Sequence, residues 1–464
     1  MFDYSPDATG EHFEDIVATA RQQTLAAVPV LVARLHWDAA SLAQYRSARL
    51  TDTLCFAAQQ SPWHAGRLSS LDLEAVTPGD LTSLPTMTKA DVMGAWDRIV
   101  TDPRLSLDAA RHQLARVDDG GPPFLLDEYL VFTTGGSTGQ PGVFVWSIEE
   151  FARFGASTIR FGIDAGDPPA KRLTFVAARS LRHPSAWPPL LLYGRHAGSR
   201  LTVPIDQPVS AIVEQLNVIA SDSLWVVSSM LPALVEAAAA GALRISPRRI
   251  VVGADAVEPR ALDAAEAVFG TRPVESYATT DVGVVADQTP AEDALMIHDD
   301  LMIVEPVDED DGPLPPGELS HHVLVTSLHQ RTMPMIRYRI DDRIRVAPWV
   351  GRQYPAFTRI ASIEGRADDL FRYGDVTVHP HIFRSILTRH PQVDDYQVRQ
   401  EANGAEVLIK VRGTCDAATL TAQLTAGLQA AGIPGGTVRV AVVDEIPRTR
   451  LGKRLRFMPV RPGG

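Results

Sequence analysis

EYLVFTTGGSTGQPGVFVW, residues 128–146, sets an apolar, β-prone run against a turn of hydroxyls and glycines, then a second β-prone run. Thr133, Thr134, Ser137 and Thr138 supply the hydroxyls; Gly135, Gly136 and Gly139 supply the glycines. Glycine lets the backbone come close to a ligand and adopt positive φ. Successive N–H groups with hydroxyls form a concavity for an anion, and phosphate is the natural guest. Taken alone, the stretch also reads as a polar surface loop. It is no Walker A loop, because no Gly-Lys-Ser/Thr closes it. Gly135 to Gly139 does spell G-x-S-x-G, which would make Ser137 a hydrolase nucleophile. That elbow needs strand, turn, then helix, whereas Pro141-Gly142 and a β-prone run follow here.

Working outward, RLTFVAA, LWVVSS, RIVVGAD and RPVESYATT are β-rich runs separated by helical segments. That alternation predicts an α/β fold, with mostly parallel sheets covered by helices. Upstream, residues 10–60 read as helical by their three-and-four apolar spacing. Thr88 and Asp91 in LPTMTKADV form an approximate capping box, and Ser147 and Glu150 another, opening a helix through about Gly162. Near 362–369, EGRADD marks a boundary, giving domains 1–365 and 366–464. The second is predicted as a small α+β unit. It reads as a hairpin in FRYGDVTVHP, a short helix in HIFRSILTRH, and a hairpin turning at Asn403-Gly404. A helix closed by Gly432 and a last strand in TVRVAVVDEIP complete it.

Composition narrows the function. The chain has 464 residues, with 44 basic and 56 acidic side chains and a net charge of −12. So acidic a chain is a poor general binder of nucleic acid, which needs a basic surface. Two cysteines, Cys55 and Cys415, form neither a disulfide framework nor a zinc spacing. The first residues are acidic and unlike a signal peptide, and the longest apolar runs are broken by charge. A cytoplasmic protein with no membrane partner is expected. Only Lys89, Lys171, Lys410 and Lys453 are lysines, leaving 44 − 4 = 40 arginines. Where so Arg-biased a chain keeps a lysine, a flexible ammonium is a plausible requirement.

Four further segments carry chemistry-bearing residues. Glu275 to Gly283 (ESYATTDVG) follows a β-run, at the strand end where open α/β sheets bind ligands. Its aromatic ring, hydroxyls and carboxylate suit stacking, phosphate contact and Mg²⁺ ligation. Arg337 to Arg343 (RYRIDDR) reads equally as a solvated charged strand. Gly365-Arg366-Ala367-Asp368-Asp369 is the next, and PRTRLGKR (447–454) is a basic loop or tail.

Together and in this order, the five segments resemble the adenylate-forming superfamily, most closely its phenylacetate–CoA ligase branch. The likeness runs from LPTMTKADV to GKRLRF. It implies that Thr133 to Gly139 hold ATP phosphates, and that Gly253, Ala254 and Asp255 line the adenine pocket. It implies that Tyr277 stacks on adenine, that Thr280 and Asp281 serve phosphate and Mg²⁺, and that Asp342 binds both ribose hydroxyls. It also implies that Arg366 contacts nucleotide, that Asp368 is the hinge of a mobile C-terminal domain, and that Lys453 is the catalytic lysine. The expected activity is ATP-dependent activation of a small, aromatic carboxylic acid as acyl-adenylate, followed by transfer to CoA. ATP, Mg²⁺ and CoA are the expected cofactors, and a homodimer the expected assembly. Trp187, Trp225 and His183 lie in the segment expected to line the acyl pocket.

The sequence departs from the family pattern in four places. Gly142 stands where Lys or Thr is common after the loop proline. Asp281 replaces Glu, and Ala278 replaces Gly. YGDVTVHPHIF lacks the glutamate that usually follows the hinge. The last change touches the CoA half more than the adenylation half. Transfer to an amine or carrier-protein thiol, or nitrite activation for aryl-amine diazotisation, therefore stays open. So do a hydrolase using Ser137 and a nucleotide binder without turnover.

Overall fold

A computed structural model describes residues 11–460, except 119–120, 135–141, 167–171, 178–180, 194–200, 206–208, 255–256, 258, 290, 367–370, 375, 379–380, 388–389, 391 and 448–454. The chain forms two compact units, Met1–Glu364 and Gly365–Gly464.

The first unit is built on a nine-stranded sheet. Thr202–Pro204, Leu173–Ala177, Ser223–Val227, Arg249–Gly253 and Val274–Thr279 run parallel in that order. These are the apolar runs of the sequence plus one short strand, Thr202–Pro204, that its composition hides. Beyond Val274–Thr279 the sheet turns antiparallel, through Gly283–Gln288 and Leu295–Ile297 to Arg359–Arg366, with Asp342–Val346 at the edge. The sheet is thus mixed, and the expected parallel half ends at the ESYATTD segment. Parallel strands need crossover helices, which cover both faces and leave the strands apolar throughout. Two three-stranded sheets flank this one. The first contains Tyr129–Thr133 and Val143–Ser147; the second joins Met302–Val307, His322–Ser327 and Tyr338–Ile340.

Local signals fix several helix starts. Thr88 accepts from Asp91 N while the Asp91 carboxylate accepts from Thr88 N at 2.8 Å, opening Lys89–Gly94. Ser147 and Glu150 repeat the arrangement at Ile148–Asp164. The buried Glu150 carboxylate also accepts from Arg331 N and from Thr332 N (2.8 Å), so one cap ties a helix start to a distant loop. Phe13–Leu35, within helix Glu11–Leu35, is long and apolar enough to cross a membrane by composition alone. Its residues Phe13, Val17, Leu31 and Leu35 are nonetheless buried in three cores of this unit.

The second unit is a four-stranded sheet with helix Ala417–Ala430 against it. Gly432 follows that helix at φ +99°, the left-handed position a closing glycine serves. Val393–Glu401 and Gly404–Val411 form the expected hairpin, but Glu401 pairs with Gly404, so the turn is Ala402-Asn403. Gly404 is needed for another reason: a Cβ there would run into the Thr437 carbonyl of the neighbouring strand Thr437–Val442. That strand is not the last. Phe457–Met458 adds to the opposite edge, parallel to Val393–Glu401.

Two buried histidines couple this fold to pH. His64 lies 3.0 Å from Pro334 O, and burial beside Arg67 pushes it down to about 3. Burial pushes His329 down to about 4. Both stay neutral in the folded chain while the unfolded chain takes up protons below about 6.5, so stability is lost as pH falls through that value. At about pH 5 the loss is about 2 kcal/mol per histidine. Urea melts of the wild type and of His64→Gln/His329→Gln are expected to show a shallower acid slope in the variant; equal slopes refute the assignment. Gly404→Ala is expected to cost about 1–3 kcal/mol, read as a lower melting temperature.

Candidate active site

The hydroxyl-rich loop is carried by a hairpin. Tyr129–Thr133 pairs antiparallel with Val143–Ser147, with Thr133 opposite Val143. One residue further, Thr134 N donates to Gly142 O (3.1 Å) and Gly142 N donates to Thr134 Oγ1 (2.9 Å). These two bonds close the neck of the loop. Thr134 accepts with its hydroxyl, so its O–H remains a donor. Thr133 is buried, and its N–H donates to Arg182 O (3.0 Å). Gly135, Gly136, Ser137, Thr138 and Gly139 lie outside the described residues. The flanks are two strands, not the strand and helix that a hydrolase elbow at Ser137 requires.

Gly142 has a steric reason. A Cβ there would stand 2.6 Å from Phe144 Cε2 and 3.0 Å from Lys89 Cε. The position that commonly carries a side chain is bare, and a lysine from another element reaches beside it. Lys89 is placed from both sides. Met87 N donates to Arg337 O (3.0 Å) and Arg339 N to Met87 O (2.9 Å). Four residues beyond Lys89, Met93 Sδ accepts from Val143 N (3.4 Å), and Trp96 Nε1 donates to Val143 O (2.9 Å). Reading by motif passed over Lys89; the scarcity of lysine was the signal that pointed to it.

The turn after Val274–Thr279 lies against the same hairpin. Trp146 Nε1 donates to Thr280 O (3.3 Å), and Gln330 Nε2 donates to Asp281 O (2.8 Å). Tyr338 Oη donates to Asp281 Oδ2 (2.6 Å), and Phe144 meets the Tyr338 ring edge-on at 6.4 Å. Tyr277 Oη donates to Asp342 Oδ2 (2.8 Å). Gly253 ends the neighbouring parallel strand, opposite Ser276, and a Cβ there would meet Ser276 O at 2.8 Å. Ala254 follows at φ +70°, a left-handed conformation that costs a residue with a Cβ and that clusters at functional sites. Tyr277, Thr280, Asp281, Asp342, Gly253 and Ala254 therefore belong to one region at the end of the parallel strands, where such sheets bind ligands.

Other expected residues fall elsewhere. Asp255, Asp368 and Lys453 lie outside the described residues, and of Arg366 only the backbone, ending strand Arg359–Arg366, is described. Trp187 is buried in the core of the loop hairpin, with Nε1 on Leu181 O (2.9 Å). Trp225 stacks on Phe175 in a different core, and its Cζ2 lies 3.4 Å from where a Cβ on Gly253 would stand. His183 precedes the short helical turn Pro184–Ala186. Among the described residues no three His, Cys, Asp or Glu side chains converge as a metal cage. A lone carboxylate at Asp281 fits Mg²⁺, which keeps waters and phosphate oxygens among its ligands.

The chain is 30% identical over 148 residues to a phenylacetate–coenzyme A ligase of Aromatoleum evansii. It is 29% identical over 156 residues to one of Pseudomonas putida. These stretches are 31% and 32% of this chain, and span about a third of the relatives' length (33% and 35%). No family model matches. A solved 2-hydroxyisobutyryl-CoA ligase, bound to 2-HIB-AMP in its postadenylation state, superposes with a TM-score of 0.68 at 17% identity, covering 92% of this chain and 91% of that one. The amide bond synthetase McbA of Marinactinospora thermotolerans superposes at 0.50 and 19%, covering 70% and 67%. The fold is that of the adenylate-forming ligases, and the sequence likeness is to their phenylacetate–CoA ligase branch.

Proposed function

We propose that this chain activates a small carboxylic acid with ATP, releasing pyrophosphate and forming an acyl-adenylate, and then passes the acyl group to CoA. The observation that carries this reading is the meeting of Asp281 and Asp342 with two tyrosines beside the neck of the hydroxyl loop. A metal-directed carboxylate, a ribose-directed carboxylate and a phosphate-directed loop are what an ATP-cleaving site needs. The likeness to phenylacetate–CoA ligases supports CoA as acceptor and an aromatic acid as substrate.

The carboxylate attacks the α-phosphorus in line with the departing pyrophosphate. Both reactants are anionic, so catalysis is positioning and charge neutralisation. Mg²⁺ held at Asp281 would neutralise phosphate charge. Lys89 brings an ammonium to the loop exit, and the loop hydroxyls donate to phosphate oxygens. Tyr277 offers its ring to adenine. The resemblance to the adenylate-forming superfamily adds Asp255 to the adenine turn, Arg366 as a nucleotide contact, Lys453 as the ammonium shared by carboxylate and α-phosphate, and Asp368 as a hinge.

Three outcomes test this. Mass spectrometry of an acid panel with ATP, Mg²⁺ and CoA is expected to give AMP and a CoA thioester. AMP without the thioester removes CoA and favours an amine or a carrier thiol as acceptor. Lys453→Ala is expected to slow pyrophosphate release roughly 10²–10³-fold, the scale of one lost oxyanion donor; an unchanged rate would falsify its assignment. Lys89→Ala is expected to weaken ATP binding by roughly 10–10²-fold, the worth of a charge-assisted hydrogen bond. Isothermal titration checks this, and wild-type affinity would remove Lys89 from the site.

A further inference from the structure

We propose that Tyr277 and Tyr338 are positioning residues that hold the two carboxylates of the nucleotide site crosswise. Tyr277 sets Asp342 for the ribose, and Tyr338 sets Asp281 for the metal ion. The proposal rests on the nucleotide reading given above.

Each hydroxyl belongs to one sequence motif, and each carboxylate to the other. Tyr277 precedes Asp281 in ESYATTD, and Tyr338 precedes Asp342 in RYRIDD, yet the bonds run Tyr277 to Asp342 and Tyr338 to Asp281. None of the strands that carry these residues pair directly with one another. Strand Val274–Thr279 is separated from Asp342–Val346 by three other strands of the large sheet, and Tyr338 lies in a different sheet. The crossed side-chain bonds supply the link that the ladders do not.

The surroundings make both bonds count. Tyr338 is 1% exposed, Tyr277 9% and Asp342 7%. The Tyr277–Asp342 bond is buried and the Tyr338–Asp281 bond half-buried, and away from water a phenol–carboxylate bond gains strength. Around Asp281 the main chain is already pinned, by Trp146 at Thr280 O and Gln330 at Asp281 O. What remains is the plane of the carboxylate, and Tyr338 Oη on Oδ2 fixes it. The chain has Asp here, one methylene shorter than Glu. A short side chain tolerates little error in aim, because a Mg²⁺ site demands near-octahedral geometry.

The test separates the two pairs in the full-length protein. One readout is the affinity for α,β-methylene-ATP over its 2′,3′-dideoxy analogue, by isothermal titration. The other is the midpoint of Mn²⁺ binding in the presence of the ATP analogue, by electron paramagnetic resonance. Tyr277→Phe is expected to cut the ribose preference about five- to tenfold, the usual worth of one net hydrogen bond, and to leave the Mn²⁺ midpoint in place. Tyr338→Phe is expected to raise the Mn²⁺ midpoint by a similar factor and to leave the ribose preference in place. Variants that move neither readout, or that move both together, overturn the pairing. Double variants guard against general loosening of the fold. Tyr338→Phe/Asp281→Asn and Tyr277→Phe/Asp342→Asn are expected to match the single Asn variants, and additive losses count against the proposal. A wild-type chain that binds no ATP analogue sinks the nucleotide reading itself, and this proposal with it. Binding by the wild type with unmoved variants sinks the pairing alone.

Discussion

Strand Tyr338–Ile340 and the residue before it tie together several distant parts of the first unit. Its first residue donates to Asp281, its backbone holds Met87, and the residue before it, Arg337, takes a left-handed φ of +48°. That conformation is strained for a residue with a side chain and persists only when the surroundings over-determine it. Here they do. The Arg337 guanidinium is buried against Glu305 at 3.1 Å and donates to Leu84 O at 2.8 Å, while its N–H donates to Thr326 Oγ1 at 3.0 Å. A buried arginine must be paired, because an unpaired one would carry an uncompensated desolvation penalty. The pairing thus holds the segment from Leu84 to Lys89 onto the strand that carries Tyr338, the donor to Asp281.

This arrangement explains how a site can sit between separate sheets without loosening. The large sheet delivers Gly253, Ala254 and Tyr277; the loop hairpin delivers Thr133 and Thr134; the second three-stranded sheet delivers Tyr338. Backbone ladders make each sheet rigid inside itself. Trp146, Gln330 and Tyr338 tie the other elements to the turn from Thr280 to Asp281, and Tyr277 ties two distant strands of the large sheet through Asp342. Order at the site is a property of a few long-range side-chain bonds, buried or half-buried.

Where a feature depended on neighbours in the chain, the sequence revealed it. Both capping boxes, the closing Gly432 and the apolar strands before Gly253 and Tyr277 are of this kind. Features that depend on distant partners were hidden. The antiparallel half of the large sheet follows from which strands meet, not from their composition. Gly404 looked like a turn residue and is instead a contact residue, because Thr437 approaches it from another strand. The tyrosine partners of Asp281 and Asp342 lie 57 and 65 residues away, beyond any local pattern. The motif residues themselves were legible only through their order along the chain, since each segment alone also read as a loop or a solvated strand.

The bare exit of the hydroxyl loop at Gly142 has a wider consequence. Because Lys89 stands beside it from a separate helix, positive charge at the loop's exit is decoupled from the composition of the loop. The loop can then change its last residues at little electrostatic cost, provided that the helix beginning at Lys89 keeps its anchor on Met87. Chains built this way would look deficient to a search for the usual lysine, while carrying a lysine side chain beside the loop's exit.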